Sequence, residues 1–321
     1  MKLLLLAALL GLTVAEMTLE EMQRRLGTKL DGKDHAPDAG LYVHDGDFTM
    51  PKSFIAGKDK WVECNATIFE IKDQAQCGSC WAVAASEVLE DRWCISCPVP
   101  KDAAGEKKQI WFAAEYLLSC CHYCGDGCEG GYPIDAMRWF QYKGIPTGGP
   151  YGSGCGCQPY KVKPHAPDTH HTPQCNSTCD PGYPISLKSD LHRSADHYKI
   201  DKSVAAIQHA IMSKGPVECA FEVYESFYNW FRNSKTKNEV YAKNEGRLLG
   251  GHAIKIIGWD VDEHGVPFWL INNSWGTEWA MGGQFKYIRG KNLGGMESGC
   301  VAADPKCTNA NAYANEIYCR H

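Results

Sequence analysis

No block of like charge, no internal repeat and, after the opening residues, no long apolar run occurs in this 321-residue chain. Without a basic block the chain lacks the usual footprint of a nucleic-acid binder, and 33 Lys and Arg against 38 Asp and Glu leave a net charge of only −5. Without a later apolar run there is no expected membrane span. The opening MKLLLLAALLGLTVA carries one lysine, an apolar stretch from Leu3 to Leu12 and a small residue at Ala15. It is too short to span comfortably and reads as a removed secretion signal over residues 1–15. Residues 16–49 lack cysteine and are polar, so they look like an appendage to the body at 50–321. "TLEEMQRRL" within them predicts a short helix with Thr18 as N-cap and Glu21 closing a capping box.

Cysteine, by contrast, is abundant: 17 in all. After a secretion signal so many thiols read as disulfides, and an odd number leaves at least one without an intramolecular partner. Two Asn-x-Ser/Thr sequons, at Asn65 and Asn176, fit the same route; a third at Asn272 lies in an apolar strand-like run and is not expected to be glycosylated.

The body changes character along its length. Trp81, Ala84, Ala85, Val88 and Leu89 recur at helical spacing directly after Cys80. "YPIDAMRWFQYKG" puts Pro133 at a helix start and Gly144 beyond its end. Residues 145–199 are rich in Gly, Pro, His and Cys and read as irregular. A further helix follows Ser203, and then "VECAFEVY", "HAIKIIGW", "PFWLINNSW" and "GQFKYIRG" read as strands. The expected class is α+β, with a helical lobe mainly over 64–200, a β-rich lobe mainly over 201–300, and a cleft between them.

Cys77-Gly78-Ser79-Cys80 admits three readings. A zinc site would draw on Cys94-x-x-Cys97 or Cys121-x-x-Cys124, but an oxidising route favours disulfides. A redox pair would usually sit in a βαβ setting, which is missing here. A thiolate nucleophile needs a helix N-terminus, which Cys80 has and Cys77 lacks. It also needs a held histidine, for which His252 opens an apolar strand, and a group to orient the imidazole, for which Asn273 is placed. Trp275 could shield that bond, while the Cys80 backbone N–H and the Gln74 amide could serve an oxyanion.

Cys77-Gly78-Ser79-Cys80-Trp81 matches the C-G-[SA]-C-[WY] pattern of papain-family cysteine proteases. "CCHYCGDGCEGGYP", "CQPY", "CDPGY", "KGPVECAF", "GGHAI" and "NNSWGTEW" resemble, in order, landmarks of the family's cathepsin B branch, over roughly residues 50–300. The resemblance implies a papain-like two-lobe fold with a helical left domain and a β-barrel-like right domain. It implies Cys80 as nucleophile, His252 as acid–base, Asn273 as its partner and Gln74 as oxyanion donor, with no cofactor and no metal. By resemblance Cys64 pairs with Cys94, Cys77 with Cys128, Cys120 with Cys175, Cys121 with Cys124 and Cys157 with Cys179. Cys97, Cys155, Cys219, Cys300, Cys307 and Cys319 have no counterpart, and the tail after Cys300 has no reading. "MQRRLGTKLDG" resembles the part of the family's pro-segment that crosses the cleft, with Leu26 in place of a cysteine before Gly27-Thr28. An inhibitory pro-segment over 16–49, removed near Asp45 to Met50, is expected, and its shortness suggests weak inhibition.

On the acyl side Gly130 and Gly131 are expected to meet substrate backbone. Tyr132, Pro133, Ala220 and Ala253 should line the pocket for the second residue before the cut. Gly299 stands where the family can carry an acid, so an apolar residue is expected there. "KVKPHAPDTHHTPQ" replaces a longer loop that closes the leaving-group end in the family. His170 and His171 are either a remnant of its carboxylate grip or solvated loop residues. "WAMGG" departs from the family's W-G-D-N-G and puts Ala280 and Met281 in a turn. The implied activity is a cysteine endopeptidase acting on peptides or proteins, monomeric, in a lysosomal, endocytic or extracellular setting. The alternatives are a dipeptidyl-carboxypeptidase and an inactive binding protein, though all four catalytic candidates are present.

Overall fold

The computed structural model describes residues 17–44, 46, 49–164 and 171–307. The expected signal, Asp45, His170 and Cys319 lie outside them. The N-terminal segment contributes helix α1 (Leu19–Arg25) and strand β1 (Gly40–Tyr42). Thr18 caps α1 and Glu21 returns a bond to the Thr18 N–H, the box that the sequence predicts. The body runs through β2 (Phe54–Ile55), α2 (Cys80–Ser96), α3 (Ala114–Cys120) and α4 (Pro133–Tyr142). Then come β3 (Tyr198–Ile200), α5 (Val204–Lys214), β4 (Val217–Tyr224), α6 (Glu225–Arg232) and β5 (Val240–Tyr241). The long β6 (Leu248–Val261), β7 (Pro267–Asn272), β8 (Gln284–Ile288) and β9 (Cys300–Ala302) complete it.

These strands form one sheet in the order β1-β3-β9-β4-β6-β7-β8-β5, with β2 on β6. The sheet is open, not a closed barrel: among the described residues β1 and β5 end the row without pairing each other. The edge at β1 comes from the N-terminal segment, laid parallel on β3, so the segment covers backbone that would otherwise be an exposed edge. Residues 198–200, expected in the helical lobe, belong to this sheet. The alternation expected in β4 is also overridden. Glu218 and Ala220 are as buried as Val217 and Phe221, because α2 packs on β4 and β6.

Disulfides hold the irregular stretch and the lobes. Cys64–Cys94, Cys77–Cys128, Cys120–Cys175, Cys121–Cys124 and Cys157–Cys179 are bonded. Cys97–Cys307 and Cys219–Cys300 add cross-links that the sequence left unassigned, and Cys155 is disulfide-bonded as well. Of the sulfurs on which a zinc site would have drawn, all but Cys80 are engaged in disulfides. Asn272, the third sequon, is buried and its amide donates to the Ile68 and Glu70 carbonyls.

All but Ile95 and Ser96 of the 17 residues of α2 are buried, including Glu87, Glu90, Asp91 and Arg92. Lys255 on β6 lies 3.1 Å from Asp91 and 3.9 Å from Glu87; Lys72 reaches Glu90, and Arg92 meets Asp304 at 2.7 Å. Burial lifts the Glu87 and Asp91 carboxyls to about 7 even though Lys255 opposes it. Glu218, cross-strand from Lys255, has neither oxygen hydrogen-bonded among the described residues and is raised well above the carboxylate range, first by burial and then by Glu87. Each of these groups holds its proton more tightly folded than unfolded. Their contribution to stability is full below the ordinary carboxylate pKa and is lost as pH climbs toward 7 and beyond. In a Cys80→Ala background, the melting temperature is expected to fall between about pH 5 and about pH 8, and Glu218→Gln to flatten that fall by raising the pH 8 value. Calorimetry across that range checks it; a Glu218→Gln protein less stable than its parent at pH 8 would contradict it.

Candidate active site

Cys80 is the free thiol among the described cysteines, fully buried at the first residue of α2. The Cys77–Cys128 bridge brings two chain segments together there, and the Gly78 N–H donates to the Cys128 carbonyl at 3.0 Å. A Cβ on Gly78 would lie 2.3 Å from that same oxygen, which is why glycine separates the two cysteines.

Gln74 is held on every side. Its Oε1 accepts from the Ser274 hydroxyl at 2.6 Å, and its Nε2 donates to the Cys77 carbonyl at 2.7 Å and the Arg25 carbonyl at 2.8 Å. The Tyr160 hydroxyl donates to the Gln74 carbonyl. Ala75 follows with φ 57°, a left-handed conformation uncommon for alanine, and Asp73 Oδ1 steadies it by accepting the Ala75 N–H at 2.8 Å. Sequence reading found Gln74 but missed Asp73, Tyr160 and Ser274. Ser274 was visible beside Asn273, but its partner lies 200 residues away in the chain.

His252 Nε2 donates to Asn273 Oδ1 at 2.7 Å. The same oxygen accepts the Ser274 N–H at 2.9 Å, which fixes the amide orientation. Nε2 therefore carries the hydrogen, and Nδ1, without a partner among the described residues, presents its lone pair. The Trp275 ring lies 4.7 Å from the imidazole and is itself buried, so the His252–Asn273 bond is shielded from water. Burial depresses the imidazole to about 4 against the pull of Asn273, and raises the Cys80 thiol against the bond from Thr28. Both shifts favour the neutral thiol and the neutral imidazole.

The N-terminal segment contributes to the burial of the thiol. The Gly27 N–H lies 3.3 Å and the Thr28 hydroxyl 3.2 Å from Cys80 Sγ. The Gly131 N–H donates to the Gly27 carbonyl, Lys29 donates to the Gly131 carbonyl, and Thr28 to that of Gly251. A Cβ on Gly27 would sit 1.7 Å from the Gly78 oxygen, so only glycine passes there. Thr28 was not singled out from the sequence, though Gly27-Thr28 was read as crossing the cleft.

Gly130 and Gly131 thus meet backbone, but backbone of the segment; a Cβ on Gly130 would lie 2.5 Å from the Gly27 oxygen, and one on Gly131 would strike Trp81. Tyr132 stacks on His35 at 3.5 Å and donates to Asp31, and Pro133 is buried at the start of α4. Ala220 and Ala253 are cross-strand partners, Ala253 packs with Cys80 and Ala84, and a Cβ on Gly299 would lie 2.6 Å from the Ala220 oxygen. His171 is exposed, and the neighbouring Thr172 hydroxyl accepts the Cys128 N–H at 2.9 Å. In the WAMGG turn Ala280 adopts φ 46°.

A papain family cysteine protease model matches residues 55–304. The gut-specific cysteine proteinase of Caenorhabditis elegans is 42% identical over 299 residues, 91% of this chain and 85% of that protein. Cathepsin B-like cysteine proteinase 4 of the same organism is 39% identical over 91% of this chain and 86% of its own length. Among solved structures, procathepsin B S9 of Trypanosoma congolense superposes with a TM-score of 0.73 at 31% identity, covering 90% of this chain and 89% of its own. Digestive procathepsin L2 of Tenebrio molitor, at 22% identity and a TM-score of 0.65, shares the fold. This chain belongs to the papain family of cysteine proteases, on its cathepsin B-like branch.

Proposed function

We propose that the chain is the zymogen of a cysteine endopeptidase in which Cys80, His252, Asn273 and Gln74 do the chemistry and the segment before Met50 is the inhibitor. The observation that carries it is the course of residues 25–29, a peptide already lying across the thiol and the Gln74 amide. With that segment gone, water and substrate reach the pair, and a Cys80 proton can pass to His252 Nδ1. The thiolate adds to the scissile carbonyl while the Cys80 N–H and Gln74 Nε2 hold the oxyanion. Imidazolium returns the proton to the departing amine, leaving a thioester; His252 then takes a proton from water, which attacks and frees the acid and the thiol. Disulfide density fits passage through the secretory route, to an endocytic or lysosomal vesicle or outside the cell.

The segment inhibits without being cut because its groups are out of phase with the chemistry. Gln74 holds the Arg25 carbonyl, whereas the thiol meets the Gly27 N–H, so no single carbonyl lies between nucleophile and oxyanion donor. A synthetic peptide of residues 17–44 is expected to inhibit the mature enzyme. Its Gly27→Ala form should bind about a hundredfold or more weaker, the clash being with backbone. Equal inhibition constants would refute this threading.

The exposed His171 supports an open leaving-group end, and Ala220, Ala253 and Gly299 bring no charge to the second pocket before the cut. Mature enzyme is expected to cleave a peptide blocked at both ends, with an apolar residue second before the cut preferred over arginine. Cys80→Ala should lose about a thousandfold or more in kcat/KM, and Asn273→Ala at least about tenfold. Cleavage confined to peptides with a free C-terminus two residues beyond the cut would assign the carboxypeptidase alternative instead.

A further inference from the structure

Arg25 is the last residue of α1, at the end of a short, charged helix where the chain enters the cleft, and it is only 3% exposed. Its guanidinium Nη1 lies 3.2 Å from Asp73 Oδ1. Burying a guanidinium is unfavourable unless a carboxylate receives it, so this cleft holds a place shaped and charged for a cation. The place adjoins the chemistry. Asp73 immediately precedes Gln74, pairs as an isolated bridge with Trp275, and steadies the left-handed Ala75. The Arg25 guanidinium is near enough to His252 to disfavour the imidazolium, although burial dominates that depression.

The location relative to the thiol fixes which part of a substrate would reach it. Thr28 and Lys29 run toward Gly131 and Tyr132, the acyl side, where Tyr132 donates to Asp31. Arg25 lies in the other direction from Gly27, bonded to Asp73, which bridges Trp275, and close enough to His252 to act on its charge, on the side from which the amine would depart. The cation at the adjoining residue does not occupy Asp73, since Lys72 Nζ is held by Glu90. Among the described residues no Lys, Arg or His other than Arg25 forms an ion pair with Asp73.

We propose that Asp73 is a specificity residue: once the N-terminal segment leaves, its carboxylate accepts an Arg or Lys side chain immediately after the scissile bond, in the place that Arg25 fills in the zymogen. The inference rests on the peptidase reading above and adds to it a substrate class, chains cut just before a basic residue. In the zymogen the same subsite doubles as a clamp for the inhibitor.

The test uses mature enzyme and three internally quenched peptides, identical up to the cut and carrying Arg, Ala or Glu directly after it. Wild type is expected to prefer Arg over Glu by about tenfold in kcat/KM, with Ala between, and the ratio should shrink as salt rises from about 0.05 M to about 0.5 M. Asp73→Asn keeps an acceptor oxygen for the Ala75 N–H, and its Arg-to-Glu ratio is expected to fall to about two or less; using the ratio within each protein cancels any general loss of activity. Wild-type cleavage with equal rates on Arg and Glu peptides, or a salt-insensitive preference, would overturn the subsite and leave the peptidase reading standing. An unchanged ratio in Asp73→Asn would assign the preference elsewhere. Failure of wild type to cut even the Ala peptide would overturn both.

Discussion

The molecule depends on one helix that is buried on every side. Because α2 lies between the strand-rich layer and the helical layer, its first residue, Cys80, is delivered to the seam where β6 carries His252 and where Gln74 and Asn273 converge. A helix in that position cannot keep an ordinary polar face. Its Glu87, Asp91 and Arg92 are matched by Lys255, Asp304 and Tyr198 from far along the chain, and that matching fixes how the two layers meet. Packing and charge pairing together place Cys80, and the Cys77–Cys128 bridge holds the chain that leads to it.

The proposed latency rests on the same geometry. A thiolate–imidazolium pair needs solvent or substrate dipoles nearby, and residues 25–29 replace both with a fitted peptide. Burial raises the thiol and depresses His252 at once, so the charge-separated state is disfavoured from both partners. The clamp is made of small, particular contacts: a glycine that alone clears the Gly78 carbonyl, a threonine hydroxyl on sulfur, and a guanidinium on Asp73.

Much of this was legible in the sequence, for local reasons. The capping box at Thr18 and Glu21, Pro133 at a helix start, and Cys80 at the head of an apolar helical pattern are short-range signals that the structure reproduces. The constellation of Gln74, Cys80, His252 and Asn273 came from motifs, and their convergence is a property of the fold. What could not be read was long-range. The period at Trp81, Ala84, Ala85, Val88 and Leu89 marks one face of α2, and nothing local says that Glu87 and Asp91 are buried opposite Lys255. The α+β papain-like class holds, with its strands in an open sheet that continues outward to β1 from the N-terminal segment. Ser274, Tyr160 and Asp73 escaped notice because each acts on a partner that only folding brings near.

The central claim is that the segment silences Cys80 by burying it with a neutral His252. The pH dependence of Cys80 alkylation measures this directly, in wild-type zymogen shown by mass to be intact and in mature enzyme from the same preparation. Mature enzyme is expected to react on a plateau extending down to about pH 4, the mark of a thiolate held by imidazolium. Intact zymogen is expected to react slowly, with a rate that rises only above about pH 8. An acid plateau of equal height in the intact zymogen would contradict the claim.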